Sequence, residues 1–358
     1  MKVAVLGVGL IGGSIGLAAR ARLDAEVTGF DPDGELLDRA VELGAIDSAR
    51  DTVAAAVDGA ELVFCAAPVM ALPELAAEAL AAAPEDCAVT DVGSVKRDVI
   101  AALGSDSHFI GGHPLAGAET AGVESARADL FEGARWYLTP TSKTGGVLYD
   151  RVQRAVADIG ARPQAIEAET HDRLMATISH LPHVVANVLV TQAATALSEE
   201  AEHLPEVGPS FRDATRVAGA NPAIWGDIFA GNREAVAAEI DAAIVRLSEA
   251  ADLLRSGERE AVTAWHERAG RHRRELIETE IAGGPLHELR VRVPNRPGIV
   301  AEVALELGRA GVNIEDMALY PAADMSSGAI ALYIAGDAEA ERAERLVRDL
   351  GHDVSRAE

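Results

Sequence analysis

The stretch Lys2-Val-Ala-Val-Leu-Gly-Val-Gly-Leu-Ile-Gly12 decides the architecture. A short apolar strand, Lys2–Leu6, runs directly into G-x-G-x-x-G, and the residues from Gly12 to Arg22 continue as a helix. A strand that feeds a glycine turn and then a helix is the context in which this motif binds a dinucleotide. Gly7 allows the tight turn, Gly9 lets the backbone approach a pyrophosphate, and Gly12 permits close helix–strand packing. The helix N-terminus, at Leu10 and Ile11, presents N–H groups to phosphate. Asp31 ends the second strand, Glu26–Phe30, 19 residues after Gly12. A carboxylate there accepts hydrogen bonds from a ribose 2′-OH and repels a 2′-phosphate, so NAD is expected rather than NADP.

Outward from this stretch, apolar runs at Glu61–Cys65, Ala88–Asp91 and Phe109–Gly112 alternate with helix-like segments at Met70–Ala83 and Val95–Leu103. Trp136–Thr139 and Arg162–Glu167 read as late strands of the same sheet. The alternation predicts an α/β, Rossmann-type doubly wound sheet over residues 1–168. From 169 to 283 the spacing becomes helical throughout, with Pro182 expected to kink or restart the first helix. Residues 286–358 read as βαββαβ, a ferredoxin-like unit.

The chain has 358 residues, enough for two or three domains. Acidic residues number 57 against 32 basic, a formal charge of −25 that disfavours nucleic acid as a partner. Only Lys2, Lys96 and Lys143 are lysines; the other basic residues are arginines. Cys65 and Cys87 are too few for a disulfide framework, consistent with a cytoplasmic location. Val3–Ala19 has the apolar character of a signal peptide, but its five glycines argue against one. No other stretch has the unbroken apolar run of a membrane span, so no membrane association is expected.

Several groups carry chemistry. The turn Cys65-Ala-Ala-Pro68 ends a strand, and the small Ala67 with Pro68 leaves room for a ribose beside the backbone. Asp91-Val-Gly-Ser-Val-Lys96 puts Ser94 at the carboxyl end of the sheet, as a ligand contact or a helix N-cap. Gly111-Gly-His-Pro-Leu-Ala-Gly117 puts His113 at another strand end, where a neutral imidazole can take a proton from a substrate hydroxyl. His180 and His183 in Ser179-His-Leu-Pro-His183 share a helix face without a third metal ligand at suitable spacing. Arg212 and Arg216, at i and i+4, offer forked guanidinium groups for a carboxylate or form a solvated basic face, and Trp225 supplies an aromatic nearby.

The motifs GVGLIGGS (7–14), DVGSVK (91–96), GGHPLAGAETAGVE (111–124), SHLPH (179–183) and FRDATRVAGANPAIW (211–225), in this order, resemble the prephenate/arogenate dehydrogenase family over about residues 1–280. The tail, with Pro294-Asn-Arg-Pro-Gly-Ile299 and Gly311-Val-Asn-Ile314, is similar to ACT domains. The resemblance implies NAD-dependent oxidative decarboxylation of prephenate in tyrosine biosynthesis, with arogenate as the alternative substrate. It implies that His113 takes the C4 hydroxyl proton and that Ser94 hydrogen-bonds both that hydroxyl and His113. It implies that Arg216 binds a substrate carboxylate, that His183, Arg212, Asp213 and Trp225 line the pocket, and that Glu119 gates or balances it. In the tail it implies an amino-acid effector, expected to be tyrosine, framed by Asn295, Pro297, Gly298, Ile299, Asn313 and Ile314. Two positions depart from the pattern: Arg212 stands where many relatives have Lys, and Ala118 where some have Thr.

Two competing readings remain. A 3-hydroxyacid dehydrogenase needs a lysine in the helical domain, and none of the three lysines lies beyond residue 143. A non-catalytic dinucleotide and amino-acid sensor would dispense with His113 and Arg216, which are present. The helical domain has more apolar face than one layer of helices hides, so a homodimer with interleaved helices is expected.

Overall fold

The structure is a computed structural model that describes residues 1–117, 122–200, 207–278, 285–294, 296, 299–314, 316–322 and 327–356. It divides into two compact units, Met1–Val245 and Arg246–Glu358.

The first unit is built on eight strands: β1 (Lys2–Leu6), β2 (Glu26–Phe30), β3 (Ser48–Ala49), β4 (Leu62–Cys65), β5 (Ala88–Asp91), β6 (Phe109–Pro114), β7 (Arg135–Thr139) and β8 (Arg162–Ala165). They form one sheet in the order β3-β2-β1-β4-β5-β6-β7-β8. Every pairing is parallel except β6 with β7. The order reverses between β1 and β4, the switch point at which doubly wound sheets bind ligands. Both faces are covered, as a parallel sheet requires. Val3 and Val5 of β1 point into one core with Ile15, Phe64, Phe131 and Trp136, while Ala4 and Leu6 point into the other with Val63, Leu72 and Phe109. The covering helices are α1 (Leu10–Leu23), α2 (Gly34–Glu42), α3 (Val53–Val57), α4 (Leu72–Ala82), α5 (Arg97–Leu103) and α6 (Gly146–Asp158). Cys65 and Cys87 are buried free thiols.

Two boundaries differ from the sequence reading. Strand β6 runs on through Pro114, because its last residues pair antiparallel with β7, His113 opposite Tyr137. Helix α5 starts at Arg97 rather than Val95, because the 91–96 turn is held by side chains described below.

After the sheet come α7 (Ala168–Met175), a π turn (Ala176–His180), α8 (Leu181–Glu200), α9 (Pro209–Thr215), α10 (Pro222–Gly231) and α11 (Arg233–Ser256). The expected disturbance at Pro182 takes the form of the π turn just before it, in which Leu181 N–H donates to Ala176 O. Taken together, Ala168–Ala196 is long and apolar enough to cross a membrane by length and composition. The sequence reading counted only unbroken apolar runs and did not anticipate this. Its first turns are tied into the sheet, since His171, Asp172 and His180 are buried there. Its later turns expose Val185, Val188, Leu189 and Val190.

In the second unit, α12 (Arg259–Glu278) precedes β9 (Leu286–Pro294), α13 (Ile299–Arg309), β10 (Asp316–Pro321), β11 (Ser327–Ala335), α14 (Asp337–Asp349) and β12 (Asp353–Arg356). The four strands form an antiparallel sheet in the order β10-β11-β9-β12, the ferredoxin-like arrangement. Alternate residues Leu289, Val291 and Val293 pack against Val303 and Leu307 of α13 and Val347 of α14.

Candidate active site

The glycine turn is built by close approach. Gly7 has φ +95° and its N–H donates to Phe30 O at 2.7 Å. A Cβ on Gly12 would lie 1.8 Å from Gly7 O, so only glycine lets α1 start this close to β1. Above Gly9 the space is open, with nothing within 4 Å of a Cβ placed there. Leu10 and Ile11 begin α1 beside that opening. The turn holding Ala67 and Pro68 abuts the glycine turn, since Ala66 O would lie 2.3 Å from a Cβ on Gly7. Asp31 is fixed by two backbone donors, Val8 N–H on Oδ2 and Asp33 N–H on Oδ1, both at 3.0 Å.

Three parallel strands along, β5 ends in the buried Asp91. Its Oδ1 accepts from Gly112 N–H at 3.0 Å, and its Oδ2 accepts from Gly93 N–H at 2.8 Å and from Lys96 Nζ. Lys96 is fully buried; burial pushes its pKa down while Asp91 opposes the shift. This ion pair shapes the 91–96 turn that carries Ser94. A Cβ on Gly112 would lie 2.5 Å from Asp91 O and 2.9 Å from Thr90 Oγ1, so only glycine lets β6 pass this close to the end of β5.

His113 therefore emerges at the carboxyl edge of the sheet, nine-tenths buried. Its Nδ1 is 2.9 Å from His171 Nε2, and His171 Nδ1 is 2.8 Å from Asp172 Oδ1. Burial first, then the facing His171, Lys96 and His180, push the His113 pKa well below the usual histidine range. It is thus a neutral imidazole, as a proton acceptor must be. Asp172 also caps α5, accepting from Lys96 N–H at 2.8 Å and Arg97 N–H at 2.9 Å.

This answers one of the two alternatives for Ser94. It does not cap the helix, because Asp172 does so from α7. Among the described residues no hydrogen bond joins it to His113, whose Nδ1 faces His171. Ser94 remains half-buried in the turn at the end of β5.

The helical rim brings several expected residues together. His183 stacks on Trp225 with ring centroids 3.4 Å apart and an interplanar angle of 22°. Burial, and then the Arg216 guanidinium, push the His183 pKa down. His180 turns inward to Asn232, whose Nδ2 lies 3.1 Å from His180 Nδ1 and donates to Asp172 O at 2.8 Å. Burial lowers the His180 pKa to about 4. Both rings meet Trp225, His183 face-on and His180 edge-on with centroids 5.9 Å apart. Arg212 and Asp213 are exposed on α9. That helix ends at Thr215 and Arg216 opens a 3-10 turn, so the two arginines do not share one uninterrupted helix as expected. Glu119 and Ala118 lie outside the described residues, as do Asn295, Pro297 and Gly298 in the second unit. Ile299 is a core residue there, Ile314 packs partly against that core, and Asn313 is exposed.

The sequence reading missed His171, Asp172, Asn232 and the roles of Asp91 and Lys96. Only Lys96 left a signal, as one of three lysines in an arginine-rich chain.

An open glycine turn beside an anchored carboxylate, and a buried neutral imidazole on the same sheet edge, fit the class of dinucleotide-dependent dehydrogenases, here with an added ferredoxin-like unit. Family models give the particulars. "Prephenate dehydrogenase, nucleotide-binding domain" matches residues 15–165, "Prephenate dehydrogenase, dimerization domain" matches 167–267, and "ACT domain" matches 287–352. The chain is 31% identical over 361 residues to prephenate dehydrogenase of Bacillus subtilis, covering 97% of this chain and 96% of that one. It is 35% identical over 254 residues to cyclohexadienyl dehydrogenase of Zymomonas mobilis, covering 69% and 86%. A crystal structure of prephenate dehydrogenase from A. aeolicus, in complex with hydroxyphenyl propionate and NAD+, superimposes with a TM-score of 0.71 at 34% identity, covering 77% of this chain and 98% of that one. The chain belongs to the prephenate dehydrogenase family, and the family resemblance and fold class read from its sequence hold.

Proposed function

We propose that this chain catalyses the NAD-dependent oxidative decarboxylation of prephenate to 4-hydroxyphenylpyruvate. The observation that carries the reading is His113: a buried, neutral imidazole on the sheet edge that also carries the glycine turn. The residues fit the dinucleotide. Gly7, Gly9, Leu10, Ile11 and Gly12 would hold its pyrophosphate, Asp31 its adenosine ribose, and Ala67 and Pro68 would flank it. When bound, the nicotinamide supplies a hydride acceptor.

The chain's own groups do the rest. As the hydride leaves C4, His113 accepts the proton of the C4 hydroxyl. The ring carboxylate then leaves as CO2, and its bonding electrons complete the aromatic ring and fall on the C4 oxygen. That oxygen takes back the proton from His113, giving the phenol. Aromatisation provides driving force, so the site needs mainly orientation and one base. Ser94 lies beside the hydroxyl, Arg216 binds a substrate carboxylate, and His183, Arg212, Asp213, Trp225 and Glu119 line or gate the pocket. The test is the increase in absorbance at 340 nm, with prephenate and arogenate each crossed with NAD and NADP. Activity with prephenate and NAD is expected; a preference for arogenate keeps the chemistry and changes the substrate, and no reduction with any pair overturns the reading.

The exposed Val185, Val188, Leu189 and Val190 lie within the segment matched by the dimerization model, which supports a homodimer. Light scattering should give about twice the 37.3 kDa chain mass. The ACT unit is proposed to bind tyrosine as a feedback effector. Inhibition that is not competitive with prephenate is expected, and purely competitive inhibition would place tyrosine at the active site instead. A cytoplasmic location fits a soluble biosynthetic enzyme.

A further inference from the structure

The contacts of His113 define a directional chain of hydrogen bonds. Asp172 accepts from three donors: Lys96 N–H and His171 Nδ1 on Oδ1, and Arg97 N–H on Oδ2. Backbone amides only donate, so the carboxylate acts throughout as acceptor. His171 must then carry its proton on Nδ1, which leaves its Nε2 an acceptor. That in turn requires the proton of neutral His113 on Nδ1, across the 2.9 Å contact. The opposite nitrogen of His113, Nε2, bears the lone pair, and it has no hydrogen-bond partner among the described residues.

We propose that His171 and Asp172 are positioning residues that fix the tautomer of His113, so that its Nε2 is the atom that takes the substrate hydroxyl proton. The proposal rests on the reading of His113 as the base. Three further features make the chain rigid. His171 and Asp172 are both buried, Asn232 Nδ2 donates to Asp172 O, and the Tyr137 ring packs edge-on against His171 with centroids 5.5 Å apart. Asp172 also joins two elements. The carboxylate that ends the hydrogen-bond chain is the one that caps α5, so the sheet edge and the helical region share one anchor. The other charged or titratable groups facing His113 are Lys96, with its partner Asp91, and His180 from the π turn. An imidazolium forming on His113 meets cationic Lys96 nearby, and the Asp172 carboxylate, acting through His171, offsets it.

The experiment compares His171→Leu, Asp172→Asn, His113→Ala and the double variant His113→Ala/Asp172→Asn in the full chain with prephenate and NAD. His171→Leu leaves the capping bonds of Asp172 in place, so it tests the chain of bonds even if Asp172→Asn misfolds. Both single variants should lower kcat by about 10²-fold, the lower part of what a general base contributes, with KM changed by less than about threefold. The acid limb of the kcat/KM profile should move to lower pH in Asp172→Asn, because the base loses a stabilising carboxylate. The double variant should be no slower than His113→Ala alone, since both changes disable one unit. A kcat for His171→Leu within about threefold of wild type overturns the proposal, as do losses that multiply in the double variant. Full activity in His113→Ala would instead overturn the underlying reading of the base.

Discussion

The two corners of the site are built on opposite plans. Around His113 the polar groups are buried and bonded to other protein groups, Asp91 with Lys96, Asp172 with His171 and two backbone amides, and Asn232 through its Nδ2 with His180, while Asn232 Oδ1 has no partner. At Trp225 the indole, His183 and Phe229 are half-buried; Arg212 and Arg216 stand at the surface, and His183 lies flat on the indole while the buried His180 meets its edge. The first corner is preorganised, and its hydrogen bonds cost nothing further when a substrate arrives. The second offers charge and aromatic surface to whatever docks. Under the proposed function the division suits a dianionic substrate in an acidic protein, with the chemistry set in a buried interior and recognition left to cations at the rim.

Substitution can separate the corners. His113→Ala should lower kcat by about 10²–10⁴-fold while dinucleotide affinity, measured by fluorescence titration, stays near wild type. Arg216→Ala should act mainly on KM, raising it by about 10–100-fold, as expected when a charged hydrogen bond worth roughly 1.5–3 kcal/mol is lost from ground and transition states alike. If Arg216→Ala lowered kcat as steeply as His113→Ala does, the contrast between the corners would fail. Gly12→Ala forces a methyl onto Gly7 O and should destabilise the first unit by roughly 1–3 kcal/mol, read as a lower urea midpoint, with weaker dinucleotide binding.

The smallest effect expected is on stability against pH. His113 and His180 are held neutral in the fold, His180 down to about 4, whereas their unfolded pKa lies near 6.5. Between those values the unfolded chain binds protons that the folded chain refuses, so stability should fall as pH falls from 6.5 towards 4. Urea midpoints across that window should show the loss, and His180→Asn should flatten it. His183, at the rim, should contribute less.

The sequence made the frame of the molecule legible because its signals are local. Lys2–Gly12 with Asp31 announces the dinucleotide turn, and the switch from alternating to helical spacing near residue 169 matches the end of the sheet at β8. His113 stood out in the sequence because it lies between glycine and proline at a strand end beside the nucleotide turn, and the structure buries it there. His171 and Asp172 were not, because their meaning lies 58 and 76 residues away in His113 and Lys96, and no spacing rule spans a tertiary contact. Ser94 sits at the end of β5 as expected, but the cap offered for it as an alternative is made by Asp172 from α7. The bonding of Lys96 was hidden for a further reason: a buried lysine reads like a surface one until its carboxylate is seen.

The π turn at Ala176–His180 also sets an angle. Each residue of an α-helix advances the face by about 100°, so a single residue more or less within this turn acts as a screw on everything beyond it. Removing one would swing His183 away from Trp225 and carry Val185 and Val188 around the helix axis with it. One segment of five residues thus holds in phase the histidine stacked on Trp225 and the apolar stripe that faces outward.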